Sequence, residues 1–201
     1  MARLEDICVK NPKAPEYDNK HLASFVPMQK VAENGEIDAS KCKEYSEVKK
    51  GFTYFQENDI LFAKITPCME NGKGAVATSL INGVGFGSTE FHVLRPISEL
   101  ADSRWLYYVT VWDVFRKECE KNMTGSAGQK RVPKSFVDNF EVSLPSLTRQ
   151  RHIATVLDKI SELIAMRKQQ LDKLDELVKA RFVEMFGDPV YNTRHLAVKC
   201  L

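Results

Sequence analysis

Several things are missing from this sequence, and each absence narrows the field. No apolar run approaches the roughly 20 residues a helix needs to cross a bilayer. The opening Met1-Ala2-Arg3-Leu4-Glu5-Asp6 does not lead into a signal-peptide apolar stretch, so the expectation is a cytoplasmic protein. The five cysteines, Cys8, Cys42, Cys68, Cys119 and Cys200, are odd in number and widely spread. With no C-x-x-C among them, they argue against a disulfide framework or a zinc knuckle and read as reduced thiols. Neither charge dominates: 29 Lys+Arg against 27 Asp+Glu leave a net charge of +2, which excludes a histone-like polycation. The 43% hydrophobic and 28% charged residues are globular proportions, and 201 residues suffice for one domain, with or without an extended element.

Catalytic signatures are missing too. Gly83-Val84-Gly85-Phe86-Gly87 is dense in glycine, but no Lys-Ser/Thr and no helical pattern follow it, so it is neither a phosphate loop nor a dinucleotide fingerprint. There is no G-x-S-x-G. No two of His21, His92, His152 and His195 stand four apart, which leaves a metal-binding helix unsupported. Asn11-Pro12-Lys13 lacks the aromatic with which adenine methyltransferases stack a flipped base. Asp18-Asn19-Lys20 matches a nuclease centre too loosely to carry weight. The reading is a binding protein with no catalytic residue and no metal site.

Glycine and proline divide the chain. Nine of ten glycines and seven of eight prolines lie at or before Pro145, and none occurs from Ser146 to Phe186. Gly187-Asp188-Pro189 then closes the stretch, as a helix stop signal would. Pro145 precedes this predicted helix and Thr148 is the candidate cap. Ile153, Leu157, Ile160, Ile164, Arg167, Leu171, Leu174, Val178, Arg181 and Met185 alternate steps of four and three. That is a heptad seam about 50 Å long, suited to a protruding helix that pairs with another. The dimerisation candidates are Ile153, Leu157, Ile160, Ile164, Leu171, Leu174 and Val178.

Residues 1–145 read as short strands between turns. Phe52–Gln56 and Ile60–Ile65 flank Glu57-Asn58-Asp59 as a plausible hairpin, and Gly74–Ile81 and Phe86–Leu94 flank Asn82-Gly83. Asn139–Leu144 is a candidate last strand. One helix interrupts them, capped by Asp102, with Trp105, Val109, Trp112 and Phe115 at helical spacing and an end near Asn122. The expected class is α+β: a mixed globular domain over 1–145, a long helix over 146–187 and a tail over 188–201.

Two loops have the chemistry for nucleic acid. Arg116–Lys134 holds Arg116, Lys117, Lys121, Lys130, Arg131 and Lys134 against only Glu118 and Glu120. Within it, Gly125 and Gly128 allow close backbone approach, and Ser126, Gln129, Lys130 and Arg131 are of the types that contact phosphates and base edges. The second loop offers Lys64, Thr66, Asn71 and Lys73. Lysines that neutralise phosphates gain from counterion release, and Gln129 and Asn71 are the candidate base readers.

The run Gly125-Ser126-Ala127-Gly128-Gln129-Lys130-Arg131-Val132-Pro133, then Phe140, Leu144-Pro145-Ser146-Leu147, Gln150, His152 and Ile153 leading into the heptad helix, resembles the specificity subunits of type I restriction-modification systems. The helix exit Phe182-Val183-Glu184-Met185-Phe186-Gly187-Asp188-Pro189 is similar to that family's. So are Asn58-Asp59-Ile60-Leu61, Lys64-Ile65-Thr66-Pro67 and Gly87-Ser88-Thr89-Glu90-Phe91, which look like its target recognition domain. The resemblance covers residues from about 20 to 189. It implies a non-catalytic subunit that reads half of a split double-stranded DNA site. It also implies docking to a modification (methyltransferase) subunit and a restriction subunit, which would carry S-adenosylmethionine, Mg and ATP. Members of that family hold two recognition domains and two long helices; this sequence has one of each. A lone apolar seam would be buried by a second copy, so a homodimer reading a split palindrome is expected. Two other readings stay open: a recognition-domain fragment of a fused nuclease-methyltransferase, and a coiled-coil interaction protein without a DNA role.

Overall fold

The computed structural model describes residues 1–126, 128–187 and Tyr191. The predicted tail, residues 188–201, thus falls outside the described residues except for Tyr191, as do Ala127 and Cys200. The chain divides into two compact units, Met1–Ala154 and Thr155–Leu201. In order, the elements are β1 (Ala2–Arg3), α1 (Leu4–Ile7), β2 (Cys8–Lys10), β3 (Leu22–Val26), β4 (Cys42–Glu44), α2 (Tyr45–Val48), β5 (Thr53–Gln56), β6 (Ile60–Ala63), β7 (Gly74–Val76), β8 (Val84–Gly87), β9 (Phe91–Pro96), α3 (Ser103–Val111), α4 (Asp113–Lys121), α5 (Lys134–Asn139), β10 (Glu141–Val142) and α6 (Leu147–Phe186). The α+β class read from the sequence is the class observed.

Two four-stranded sheets form the centre of the first unit. One has the order β2-β9-β6-β7, antiparallel throughout. The other has the order β4-β3-β8-β5 and contains one parallel pair, β3 with β8. Strand alternation sorts side chains into layers. Ile60 and Phe62 of β6 face a helical core with Leu106, Phe115 and Val137. Leu61 and Ala63 face the second core, where Phe55, Val26 and Val93 pack. A strand buried on both faces has no polar positions, which is why Ile60–Ala63 is an unbroken apolar run.

The predicted hairpin at Glu57-Asn58-Asp59 and the predicted turn at Asn82-Gly83 are both corners between sheets. The turns exist: Asn58, Asn82 and Gly83 have φ of 69°, 54° and 69°. Yet β5 pairs with β8, and β6 with β7 and β9, so the chain changes sheet at Glu57-Asn58-Asp59 and again at Asn82-Gly83. Asp59 explains the first corner. Its carboxylate accepts from Gln56 N at 2.8 Å and takes both arms of Arg95, at 2.8 and 2.7 Å, from β9. The glycines of the dense Gly83–Gly87 run are there for packing. A Cβ on Gly85 would lie 2.1 Å from the Phe55 ring, and one on Gly87 2.4 Å from Val26 O.

Asp102 caps α3 as expected, accepting from Arg104 N and Trp105 N. The single predicted helix is two helices, however. Val109-Thr110-Val111 is a β-branched run, and the Thr110 hydroxyl donates back to Tyr107 O at 2.7 Å. Trp112 then adopts φ −61°, ψ 130° and serves as C-cap of α3 and N-cap of α4. The break leaves Trp112 half exposed and turns Phe115 fully inward. The candidate strand Asn139–Leu144 is the two-residue β10, paired with β1, because residues 134–139 are helical.

Helix α6 runs through the predicted stretch for 40 residues, about 60 Å. Its cap is Ser146, whose hydroxyl accepts from Arg149 N, and not Thr148. It stops at Gly187, with φ 79° and its N–H on Val183 O at 2.8 Å.

Candidate nucleic-acid interface

The two loops singled out in the sequence lie side by side. Val132 N donates to Lys64 O at 2.9 Å and Thr66 N to Lys130 O at 3.0 Å, so 64–66 and 130–132 pair as short extended strands. The Thr66 hydroxyl adds a bond to Lys130 O at 3.2 Å. The loop from Thr124 to Arg131 is also closed on itself, by Thr124 N to Arg131 O at 3.0 Å and Arg131 N to Thr124 O at 2.8 Å. Gly125 makes the reversal, with φ of 120°; a Cβ there would meet Gln129 O at 2.9 Å. This tip presents Ser126, Gln129 and Lys130 to solvent, and Asn71 is exposed on the neighbouring loop. Lys64, Thr66, Lys73 and Arg131 are half-buried.

The loop from Lys64 to Lys73 is fastened from beneath. Asn71 N bonds Pro67 O at 3.0 Å and Lys73 N bonds Cys68 O at 2.9 Å, around a buried Met69. Arg116 of α4 donates to Glu70 O, and a Cβ on Gly72 would lie 2.9 Å from its Nη1. Arg116 is thus a structural anchor for this loop.

Not all of the positive charge seen in the sequence is available. Lys117 pairs with Asp113 and Lys121 with Glu118, each at 2.6 Å. Arg131 meets Glu90 through Nε at 2.9 Å and Nη2 at 2.8 Å, and that guanidinium holds the Glu90 carboxyl below its usual range. Exposed pairs such as Lys117–Asp113 are weak and yield readily to a competing phosphate. The Arg131–Glu90 fork is bidentate and orders the loop. Among the described residues, Lys64, Lys73 and Lys130 have no ion-pair partner. Directly beneath, His92 is buried, bonds Val132 O through Nε2 at 2.9 Å, and is pushed down to about 4 by desolvation.

Two groups escaped the sequence reading. Gln150, noted only as part of a motif, is fully buried. Its Nε2 donates to Leu100 O at 2.9 Å and Pro145 O at 2.8 Å, and its Oε1 accepts from Asp102 N at 2.9 Å. The other is a lysine and aromatic face on the second sheet. No sequence window could reveal it, because strand pairing alone brings β3 and β4 together.

Among the described residues, no group of three His, Cys, Asp or Glu side chains is placed to hold a metal, and no helix is long and apolar enough to cross a membrane. Burial pushes the Cys8 and Cys119 thiols up to about 12, which keeps them protonated and unreactive. Together these features define a two-sheet α+β domain with a loop pair bearing uncompensated lysines, followed by a long amphipathic helix.

Residues 1–176 match the family described as type I restriction modification DNA specificity domain. The chain is 39% identical over 186 residues to the type I restriction enzyme EcoAI specificity subunit of Escherichia coli, covering 89% of this chain and 31% of that protein. It is 40% identical over 182 residues to the EcoEI specificity subunit of the same organism, covering 88% of this chain and 30% of that one. The crystal structure of the HsdS subunit from Thermoanaerobacter tengcongensis superposes with a TM-score of 0.66 at 19% identity, over 94% of this chain and 49% of that chain. A second solved chain, from work on assembly and conformational transition of the type I R-M system, gives a TM-score of 0.72 at 19% identity with the same coverage. The chain belongs to the type I restriction-modification DNA specificity family. It spans about a third of the length of the curated relatives it matches.

Proposed function

We propose that this chain is a DNA sequence-recognition unit of a type I restriction-modification complex, reading one half of a split double-stranded target. The observation that carries the proposal is family membership across residues 1–176, a span that includes both basic loops. The loop pair supplies the local chemistry. In this reading Lys64, Lys73 and Lys130 meet phosphates, and Gln129 and Asn71 offer amides that suit a base edge, with Ser126 and Thr66 beside them. Arg131, held by Glu90, shapes the tip on which Lys130 sits. In this reading the chain performs no chemistry itself. A modification subunit brings S-adenosylmethionine and methylates adenine, and a restriction subunit brings the ATP- and Mg-dependent cleavage. The seam of α6 pairs with the same seam of a second copy, and two identical reading heads select a split palindrome.

The test is to map methylated adenines in DNA from cells that co-express this chain with its cognate modification subunit. The expected result is methylation at one two-part sequence with inverted halves, lost when this chain is omitted. An identical methylation map with and without the chain would overturn the proposal.

A further inference from the structure

We propose that the outer face of the β4-β3-β8-β5 sheet is a second grip on the phosphate backbone of duplex DNA, centred on Lys41, Lys43, Phe25 and Phe52. This rests on the DNA-reading function proposed above and extends it to a surface remote in sequence from both basic loops.

The face is built by register. Ala23 of β3 stands opposite Lys43 of β4, and Phe25 N bonds Lys41 O at 2.7 Å, so Ala23, Phe25, Lys41 and Lys43 point to one side. That side also holds Tyr54 and Phe86 in a small core of its own, while Val26 points inward to the layer between the sheets. Both ammonium groups then converge on one ring: Lys43 Nζ lies 4.8 Å and Lys41 Nζ 5.8 Å from the Phe25 centroid. Phe52, 37% exposed, meets Phe25 edge-on at 5.0 Å.

Two like charges over a single ring repel each other, and at an exposed site the ring offsets this only weakly. The acidic groups nearby do not neutralise them. Glu47 reaches Lys43 at 3.6 Å across an exposed i,i+4 pair, and Lys41 has no ion-pair partner among the described residues. Glu44 follows Lys43 on the strand and so points to the opposite face. Phosphates beside the two lysines would relieve the repulsion. The lysines are two residues apart on one strand, about 7 Å, and duplex DNA carries about one charge per 1.7 Å of axis. A surface this narrow therefore meets more than one phosphate. Lys49, with its Nζ 5.9 Å from the Tyr45 ring and 3.1 Å from Asn19 Oδ1, continues the positive edge from α2.

The experiment measures binding of the full chain to a mixed-sequence 30-base-pair duplex across a salt series. The variant K41Q/K43Q removes the charges and keeps stems that can still cover Phe25; K41R/K43R serves as the rescue. Each phosphate contact contributes about 0.9 to the slope of log K against log salt. K41Q/K43Q should therefore lower the slope by up to roughly 1.8, with K41R/K43R restoring it and the thermal midpoint unchanged. An unaltered slope and affinity in K41Q/K43Q, with the unaltered chain binding DNA, would overturn this surface and leave the DNA-reading function standing. Loss of binding to the modification subunit with DNA binding intact would assign the face to protein and overturn the proposal equally. No duplex binding by the unaltered chain would overturn both.

Discussion

His92 shows how a single residue couples the candidate interface to the core. Its Nε2 faces a carbonyl, Val132 O, and must donate; Nδ1 is buried with no partner among the described residues. Protonation would place a second N–H, and a charge, where nothing receives them. In the unfolded chain the ring takes a proton near pH 6.5, whereas in the fold it does so only near 4. Below pH 6.5 the unfolded state therefore binds more protons, and stability falls as pH drops from about 6.5 to about 4. The full effect is about 3 kcal/mol. Of this, about 2 kcal/mol falls between pH 7 and pH 5, so the stabilities measured by urea unfolding at those two values should differ by that much, and His92→Phe should remove much of the difference. An equal difference in both proteins would show that other groups carry it. Arg131 makes the complementary point. Its place in Gln129-Lys130-Arg131 suggested a phosphate ligand, yet Glu90, 41 residues away, holds its guanidinium. Replacing Arg131 by Ala should loosen the loop and lower affinity with little change in salt slope, whereas Lys130→Ala should reduce the slope by about 0.9. Equal slope losses from the two substitutions would return Arg131 to the phosphate ligands. Sequence supplies the residue types present in these loops. It could not give their partners, because a partner is set by strand register over tens of residues.

At the scale of elements, what could be read depended on how local the cause was. The long helix depends on its own periodicity and on a glycine that ends it, so Leu147–Phe186 closely follows the expected range. The turns at Asn58 and Asn82 were also visible, because positive φ favours Asn and Gly. Which strand comes next to which was not. A turn fixes a change of direction, and the choice between hairpin and corner was made by the Asp59–Arg95 fork and by glycines that admit Phe55. The break at Trp112 escaped for a similar reason: a helical spacing of apolar residues does not reveal that two of them face different neighbours. Gln150 is the hinge between these elements. One amide bonds Leu100, two residues before the α3 cap, the cap residue Asp102 itself and Pro145, two residues before α6. Replacing Gln150 by Ala would take this partner from three part-buried backbone groups and leave a void at a buried site, and should cost about 3 kcal/mol, a fall in thermal midpoint on the order of 10 °C. A midpoint within about a degree of the unaltered protein would remove Gln150 from this role.

For the whole molecule, the charge balance and the exposed seam point the same way. Up to Leu147 the chain carries 19 basic and 20 acidic residues, so any hold on DNA must come from where the lysines gather and not from their total. One such region is small, and two copies of it on a symmetric dimer would double the phosphate contacts without new chemistry. The seam gives the means. From residue 159 to 186 every position is exposed, including Ile160, Ile164, Leu171, Leu174 and Val178 at 46–68%. Apolar surface of that extent in water calls for a partner. The polar seam positions do not oppose pairing, because Arg167 and Arg181 bond Gln170 and Glu184 within their own helix and leave their stems along the seam. Sedimentation at micromolar concentration should give twice the 22.9 kDa chain mass. The double substitution Leu171→Asp, Leu174→Asp should give a monomer that keeps its cooperative melt, since neither side chain belongs to the cores of Met1–Ala154. That monomer should bind a mixed-sequence duplex with roughly half the salt slope of the dimer, because half the phosphate contacts are lost. A monomeric unaltered chain would overturn self-pairing. A dimer that survives both aspartates would place its interface somewhere other than the α6 seam.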